Sequence, residues 1–210
     1  GQENHLSHFD GKRWFGQVVR HPHPNGEWKS ILCITPQSIW LVGNGGKVAH
    51  YAESEWKISS IGTTQHLWRI WARNVNDIWV VGNGGVLANS DGSNWKIINT
   101  SKEYGLFSVW GSNSEVWAVG SAGTMLTCSA SSLTCERTNF GNGWIRGIAG
   151  YRQGQDPTPV LWAVGDGGLL LKRSKGQWQQ VNWGSKADFF RASFSSELNG
   201  WIAGSSGTVL

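Results

Sequence analysis

The chain has 210 residues, a formal net charge of +4 and only 15% charged side chains, against about a quarter in an average domain. Its 15 tryptophans and 29 glycines exclude a disordered chain, which is poor in aromatics, and no apolar run approaches the ~18–20 residues of a membrane-spanning helix. The basic residues are scattered rather than gathered in a run, which argues against nucleic acid as a partner.

Taken in chain order, the first signal is Asp10-Gly11-Lys12-Arg13-Trp14. It reads as a tight turn between two short strands. His21-Pro22-His23-Pro24 follows in an insertion, and two histidines without a third ligand nearby do not make a metal site. Cys33 lies in an apolar run and reads as a buried small hydrophobe.

Five copies of one motif then organise the rest. They are Ile39-Trp40-Leu41-Val42-Gly43-Asn44-Gly45-Gly46, Ile78-Trp79-Val80-Val81-Gly82-Asn83-Gly84-Gly85, Val116-Trp117-Ala118-Val119-Gly120-Ser121-Ala122-Gly123, Leu161-Trp162-Ala163-Val164-Gly165-Asp166-Gly167-Gly168 and Gly200-Trp201-Ile202-Ala203-Gly204-Ser205-Ser206-Gly207. The motif tryptophans stand 39, 38, 45 and 39 residues apart. Trp56, Trp95 and Trp178 each lie sixteen residues after one of them. Each repeat reads as four short strands, A to D, with the motif Trp on B and the later Trp on D. The Gly-rich turns lead from strand to strand with no helix N-terminus, so they read as turns rather than phosphate cradles.

Units of about 40 residues with Trp and Gly at fixed places predict a β-propeller. The expectation is all-β: a five-bladed propeller of four-stranded antiparallel blades, one domain over residues 1–210. The repeats centre on Trp40, Trp79, Trp117, Trp162 and Trp201. Residues 8–19 carry a D-strand Trp but no motif Trp, and the fifth copy lacks its D strand. The N- and C-terminal strands are therefore expected to share one blade, which removes exposed sheet edges. Both His5-Leu6-Ser7-His8 and Gly207-Thr208-Val209-Leu210 suit its strand C. The five motif tryptophans, and likewise Trp14, Trp56, Trp95 and Trp178, are expected to pack between blades.

Cys128 and Cys135 bracket a Ser-rich hairpin tip and are expected within disulfide range. A disulfide, with no signal peptide on the chain as given, points to a secreted or periplasmic protein already processed.

The segment Trp110-Gly111-Ser112-Asn113-Ser114-Glu115-Val116-Trp117-Ala118-Val119-Gly120 resembles the W-G-S…V-W-A-V-G repeat of secreted bacterial proteins. The W-A-V-G-x-x-G core also resembles the BNR-like repeat of photosystem II stability/assembly factors. That resemblance implies a propeller fold and, from the assembly factors, a protein-binding scaffold. Tachylectin-type lectins are similar in blade number alone.

The starts of strands A and the Gly-rich turns are expected around one channel mouth. There the sequence sets cations beside apolar or aromatic residues: Trp28-Lys29, Trp68-Arg69, Ile145-Arg146 and Phe190-Arg191, with Phe107-Ser108 as a break. Lys29, Trp68, Arg69, Phe107, Arg146, Phe190 and Arg191 are the candidate ligand-binding residues. Asp188, Glu27 and Glu103 are the acids near strand A starts, and Tyr104 beside Glu103 is the one nearby Tyr/Glu pair; neither set makes a glycosidase-like or sialidase-like constellation. The sequence therefore predicts no enzyme, no cofactor, no metal and no catalytic residue. It predicts a binding module for a glycan, lectin-like, or alternatively for a protein.

Overall fold

The computed structural model describes residues 4–98, 100–151, 158–184, 186–196 and 199–210. All its regular structure there is strand, apart from three short 3₁₀ turns, and no helix is long and apolar enough to cross a membrane. A two-stranded sheet comes first, β1 (His5–Phe9) with β2 (Trp14–Val18). The first blade is β3 (Trp28–Thr35), β4 (Ser38–Gly43), β5 (Lys47–Ala52) and β6 (Glu55–Ser60). The second is β7 (Leu67–Asn74), β8 (Asp77–Gly82), β9 (Leu87–Ser90) and β10 (Trp95–Ile98). The third is β11 (Leu106–Gly111), β12 (Glu115–Gly120), β13 (Thr124–Ser129) and β14 (Cys135–Asn139). The fourth is β15 (Ile145–Tyr151), β16 (Val160–Gly165), β17 (Leu170–Ser174) and β18 (Gln177–Gln180). A last pair, β19 (Phe189–Ser196) and β20 (Asn199–Gly204), ends the series. Every pairing is antiparallel and sequential. The protein is an all-β propeller of four-stranded blades.

The apolar core lies between the blades. Trp40, Val42 and Val48 of the first blade pack with Leu67, Ile70 and Val80 of the second. Trp79 and Val81 pack with Leu106, Val109 and Val116 of the third, and Trp117 with Ile145 and Ala163 of the fourth. The motif Trp is the knob at each junction. Trp40 meets Trp95 edge-on at 5.8 Å, Arg173 covers Trp117 at 5.0 Å, and Trp162 stacks on Phe194 at 4.9 Å. The motif Gly is needed because strand A of the same blade passes against it: a Cβ on Gly120 would stand 1.9 Å from the Gly105 carbonyl oxygen.

The terminal strands form two separate two-stranded sheets, β1–β2 and β19–β20. Val209 bridges to Ala203, and Leu210 exchanges two backbone hydrogen bonds with Ile202 at 2.9 Å. The C-terminal residues thus take the strand-C place beside β20, which leaves β1 without it. The β1–β2 hairpin keeps the C–D turn chemistry. Asp10 accepts the Lys12 and Arg13 amides as Asp91 accepts those of Ser93 and Asn94, and Gly11 and Gly92 share a φ of 94°. It docks on the first blade through Leu6 and Val19 against Leu41, Ala49 and Trp56. Consecutive inner strands pack from β3 to β7, β11, β15 and β19, while among the described residues no packing as extensive joins β19 to β3. Ile31 on β3 is accordingly 56% exposed, while its counterparts Ile70, Val109 and Ile148 are buried.

Three residue-level expectations change for the same reason. Trp201 and Trp14 are exposed, because neither has a blade on its outer side. Cys33 is exposed rather than buried, since it shares the uncovered face of β3 with Ile31. Cys128 and Cys135 are disulfide-bonded as expected; they are cross-strand partners with Cα atoms 4.0 Å apart, closer than the usual ~4.4–6.8 Å.

Candidate functional site: a bulge-built channel mouth

Each inner strand carries one β-bulge near its start, always at the same place. The register slips between Trp28 and Ser30, Leu67 and Arg69, Leu106 and Ser108, Ile145 and Gly147, and Phe189 and Arg191. The extra residues are Lys29, Trp68, Phe107, Arg146 and Phe190. A bulge re-aims one side chain out of the alternating pleat. All five bulge residues line one cleft of about 590 Å³, together with Trp144 and Arg191. The preceding residues Leu67, Leu106, Ile145 and Phe189 are fully buried and anchor each strand.

Six of the seven sequence-predicted residues line that cleft, and Arg69 lines the adjoining channel with Lys29, Ser30 and Ser108. The predicted single ring of cations is two layers. Lys29 and Arg146 occupy bulge positions with Trp68, Phe107 and Phe190. Arg69 and Arg191 stand one step deeper, where the other strands carry Ser30, Ser108 and Gly147. Pairing each strand A with the Gly that ends strand B shows this register; reading aromatic–cation dipeptides merged the layers. It also passed over Trp144, which sits just before its bulge and is 45% exposed.

The cations differ in their partners. Lys29 pairs with Glu27 and lies over the Trp68 ring, 5.5 Å from its centroid. Arg146 pairs with Asp166 of the Gly-rich turn and lies over Trp144 at 4.9 Å and Phe190 at 5.6 Å. These two charges are neutralised within the scaffold. Among the described residues, neither Arg69 nor Arg191 has a carboxylate partner. Arg191 donates to the Arg146 and Phe190 carbonyls at 3.0 and 2.8 Å. Burial lowers the pKa of both guanidiniums, and the charge of Arg69 lowers that of Arg191 further. Guanidiniums stay charged under all ordinary conditions, so the channel at Arg69 and the adjoining cleft at Arg191 each hold a positive charge that no carboxylate among the described residues pairs with.

The other candidates stay in the scaffold. Tyr104 is buried between the second and third blades with Arg137 over its ring, away from the channel. The Asp188 carboxylate accepts the Gly167 amide at 2.8 Å. The paired histidines His21 and His23 stack at 5.8 Å, and among the described residues no group of three or more His, Cys, Asp or Glu side chains is placed to hold a metal ion.

No protein-family model matches the chain, and no curated protein matches it. Its fold is similar to that of a solved structure described as YCF48 bound to D1 peptide, at 17% identity and a TM-score of 0.70, over 95% of this chain and 68% of that one. It is also similar to the extracellular domain of the one component system BT4673 from B. thetaiotaomicron, at 16% identity and a TM-score of 0.73, covering 99% of this chain and 30% of that one. At the level of fold, these likenesses bear out the resemblance to BNR-repeat propellers.

Proposed function

We propose that this chain is a non-catalytic module that binds a polypeptide at the channel mouth, through an acidic group of the partner. One observation carries the reading: Arg69 lines the channel and Arg191 the adjoining cleft, and among the described residues neither has a carboxylate partner. Confined like charges are costly, and an incoming anion relieves both repulsion and desolvation at once. The channel acids support no catalytic role, since Glu27 and Asp166 are already paired to Lys29 and Arg146. The YCF48 structure was solved with a D1 peptide bound, a precedent for a peptide on this fold. The Cys128–Cys135 disulfide and the likeness to an extracellular domain support a secreted or periplasmic setting. Carbohydrate binding has no support from these comparisons.

The test is a peptide array rich in Asp and Glu run beside a glycan array, followed by titration of the hits. Acidic peptides are expected to bind, more weakly as salt rises. Arg69→Ala with Arg191→Ala is expected to abolish binding while the melting temperature stays within a few degrees, because the substitutions remove a repulsion. Binding of glycans alone, or unaltered peptide binding by the double variant, refutes the reading.

A further inference from the structure

The rim and the floor of the cleft differ in chemistry. The floor lies where Arg191 of the cleft meets the channel lined by Arg69, and neither guanidinium has a carboxylate partner among the described residues. The rim carries Trp68, Phe107, Trp144 and Phe190, and its two cations are already paired with acids. Trp144 is 45% and Phe190 40% exposed. Large apolar groups left in water inside a cleft mark a contact surface.

The rings are fixed rather than loose. Trp68 donates its indole N–H to Asn83 at 2.6 Å. Phe107 and Trp144 touch with centroids 5.1 Å apart and planes tilted by 40°, so together they form a cup and not a flat platform. Cations cover a face of Trp68, Trp144 and Phe190. Asn83, the nearby amide, is used by Trp68. A sugar ring stacks best on a flat, open aromatic platform, and the tilted Phe107–Trp144 pair does not form one. A compact aliphatic or aromatic side chain needs only the cup.

We infer that the aromatic rim is a specificity pocket for a bulky apolar side chain next to the partner's acidic residue. This rests on the peptide reading of the same site. The ligand is then a short two-part motif: an Asp or Glu that reaches Arg69 and Arg191, and a neighbouring Leu- or Phe-sized side chain held by Trp68, Phe107, Trp144 and Phe190. Arg191 links the two parts, because it lines the rim cleft and meets the charge of Arg69.

The probes are blocked peptides acetyl-Gly-Ser-Xaa-Asp-Gly-Ser-amide with Xaa as Gly, Ala, Leu or Phe, plus the Phe peptide with Asn for Asp. Affinity is read by tryptophan fluorescence and calorimetry. The Leu and Phe peptides are expected to bind at least about ten-fold tighter than the Gly peptide, the scale of burying one large apolar side chain. The Asn peptide is expected to lose most of that affinity. Trp144→Ala is expected to reduce the Leu and Phe preference to less than about three-fold, and Trp144→Phe to keep it. Equal affinity for the Gly and Phe peptides, still abolished by Arg191→Ala, overturns the specificity pocket and leaves the peptide reading standing. No binding of any acidic peptide overturns both, and binding of the Asn peptide as tightly as the Asp peptide overturns the two-part motif.

Discussion

His21 shows how much one side chain is held by its surroundings. It is 7% exposed, its Nε2 lies 3.1 Å from the Asn44 carbonyl, and its ring meets Trp28 edge-on at 4.7 Å. The missing side chain of Gly26 makes the space: a Cβ there would stand 1.7 Å from His21 Nδ1. Gly26→Ala is therefore expected to expel the ring and cost roughly 1–3 kcal/mol, seen as a lower melting temperature. Burial, the largest effect, lowers the His21 pKa from 6.5, and the charges of His23 and Lys47 add to it against the opposing Asn44 contact. Burial likewise lowers that of His50, which stacks on Trp40 at 3.9 Å. Between the lowered folded pKa and the unfolded 6.5, the unfolded chain binds more protons. Stability is then fully present above about pH 6.5 and falls as pH drops through that window. Denaturant midpoints from pH 8 to 5 should show the fall, and His21→Gln should make it shallower.

At the scale of the strand, the bulges decide what the channel mouth contains. The repeat period, the motif tryptophans and the turn glycines made the strands legible, because β-branched residues and Gly punctuation have direct backbone consequences. The bulge had no such mark. Lys29, Trp68, Phe107, Arg146 and Phe190 share a place but not a residue type, so a search for like chemistry grouped Lys29 and Arg146 with Arg69 and Arg191. The exposure of Cys33 was hidden for another reason: whether an apolar run is covered depends on a neighbouring blade, not on the run. The Cys128–Cys135 pairing was legible from its hairpin spacing. It joins directly opposed residues of β13 and β14 across a short loop. Replacing both by Ala is expected to cost about 2 kcal/mol on a chain-entropy account, with the channel mouth and its peptide affinity unchanged. Thiol titration of the native, unreduced protein should find one reactive group, Cys33.

For the whole molecule, four blade junctions are built alike and the arc between β19 and β3 is not. The middle of the chain, from β7 to β16, holds the fully buried Trp79, Trp117, Leu106, Met125 and Ile145. The hairpin β1–β2, the pair β19–β20 and the C-terminal residues beside it expose Trp14, Phe9, Trp201 and Val209. The two guanidiniums of the proposed site are divided between these regimes, because Arg69 stands on the well-packed second blade and Arg191 on β19. The distance between the two charges therefore follows how firmly β19 rests on β15.

That uneven packing gives the molecule a direction of opening. In a linear array each unit is stabilised by its neighbours, so a unit with one neighbour opens first. Backbone amides of β1, β2 and β20 are expected to exchange with deuterium by local fraying, at rates nearly independent of global stability. Those of β8, β12 and β16 should exchange only when the whole arc unfolds. A peptide bridging Arg69 and Arg191 should slow exchange in β19 before any other strand, since it fastens a fraying end to a rigid centre. Uniform protection from β1 to β20, with or without peptide, would show that the arc behaves as one cooperative ring.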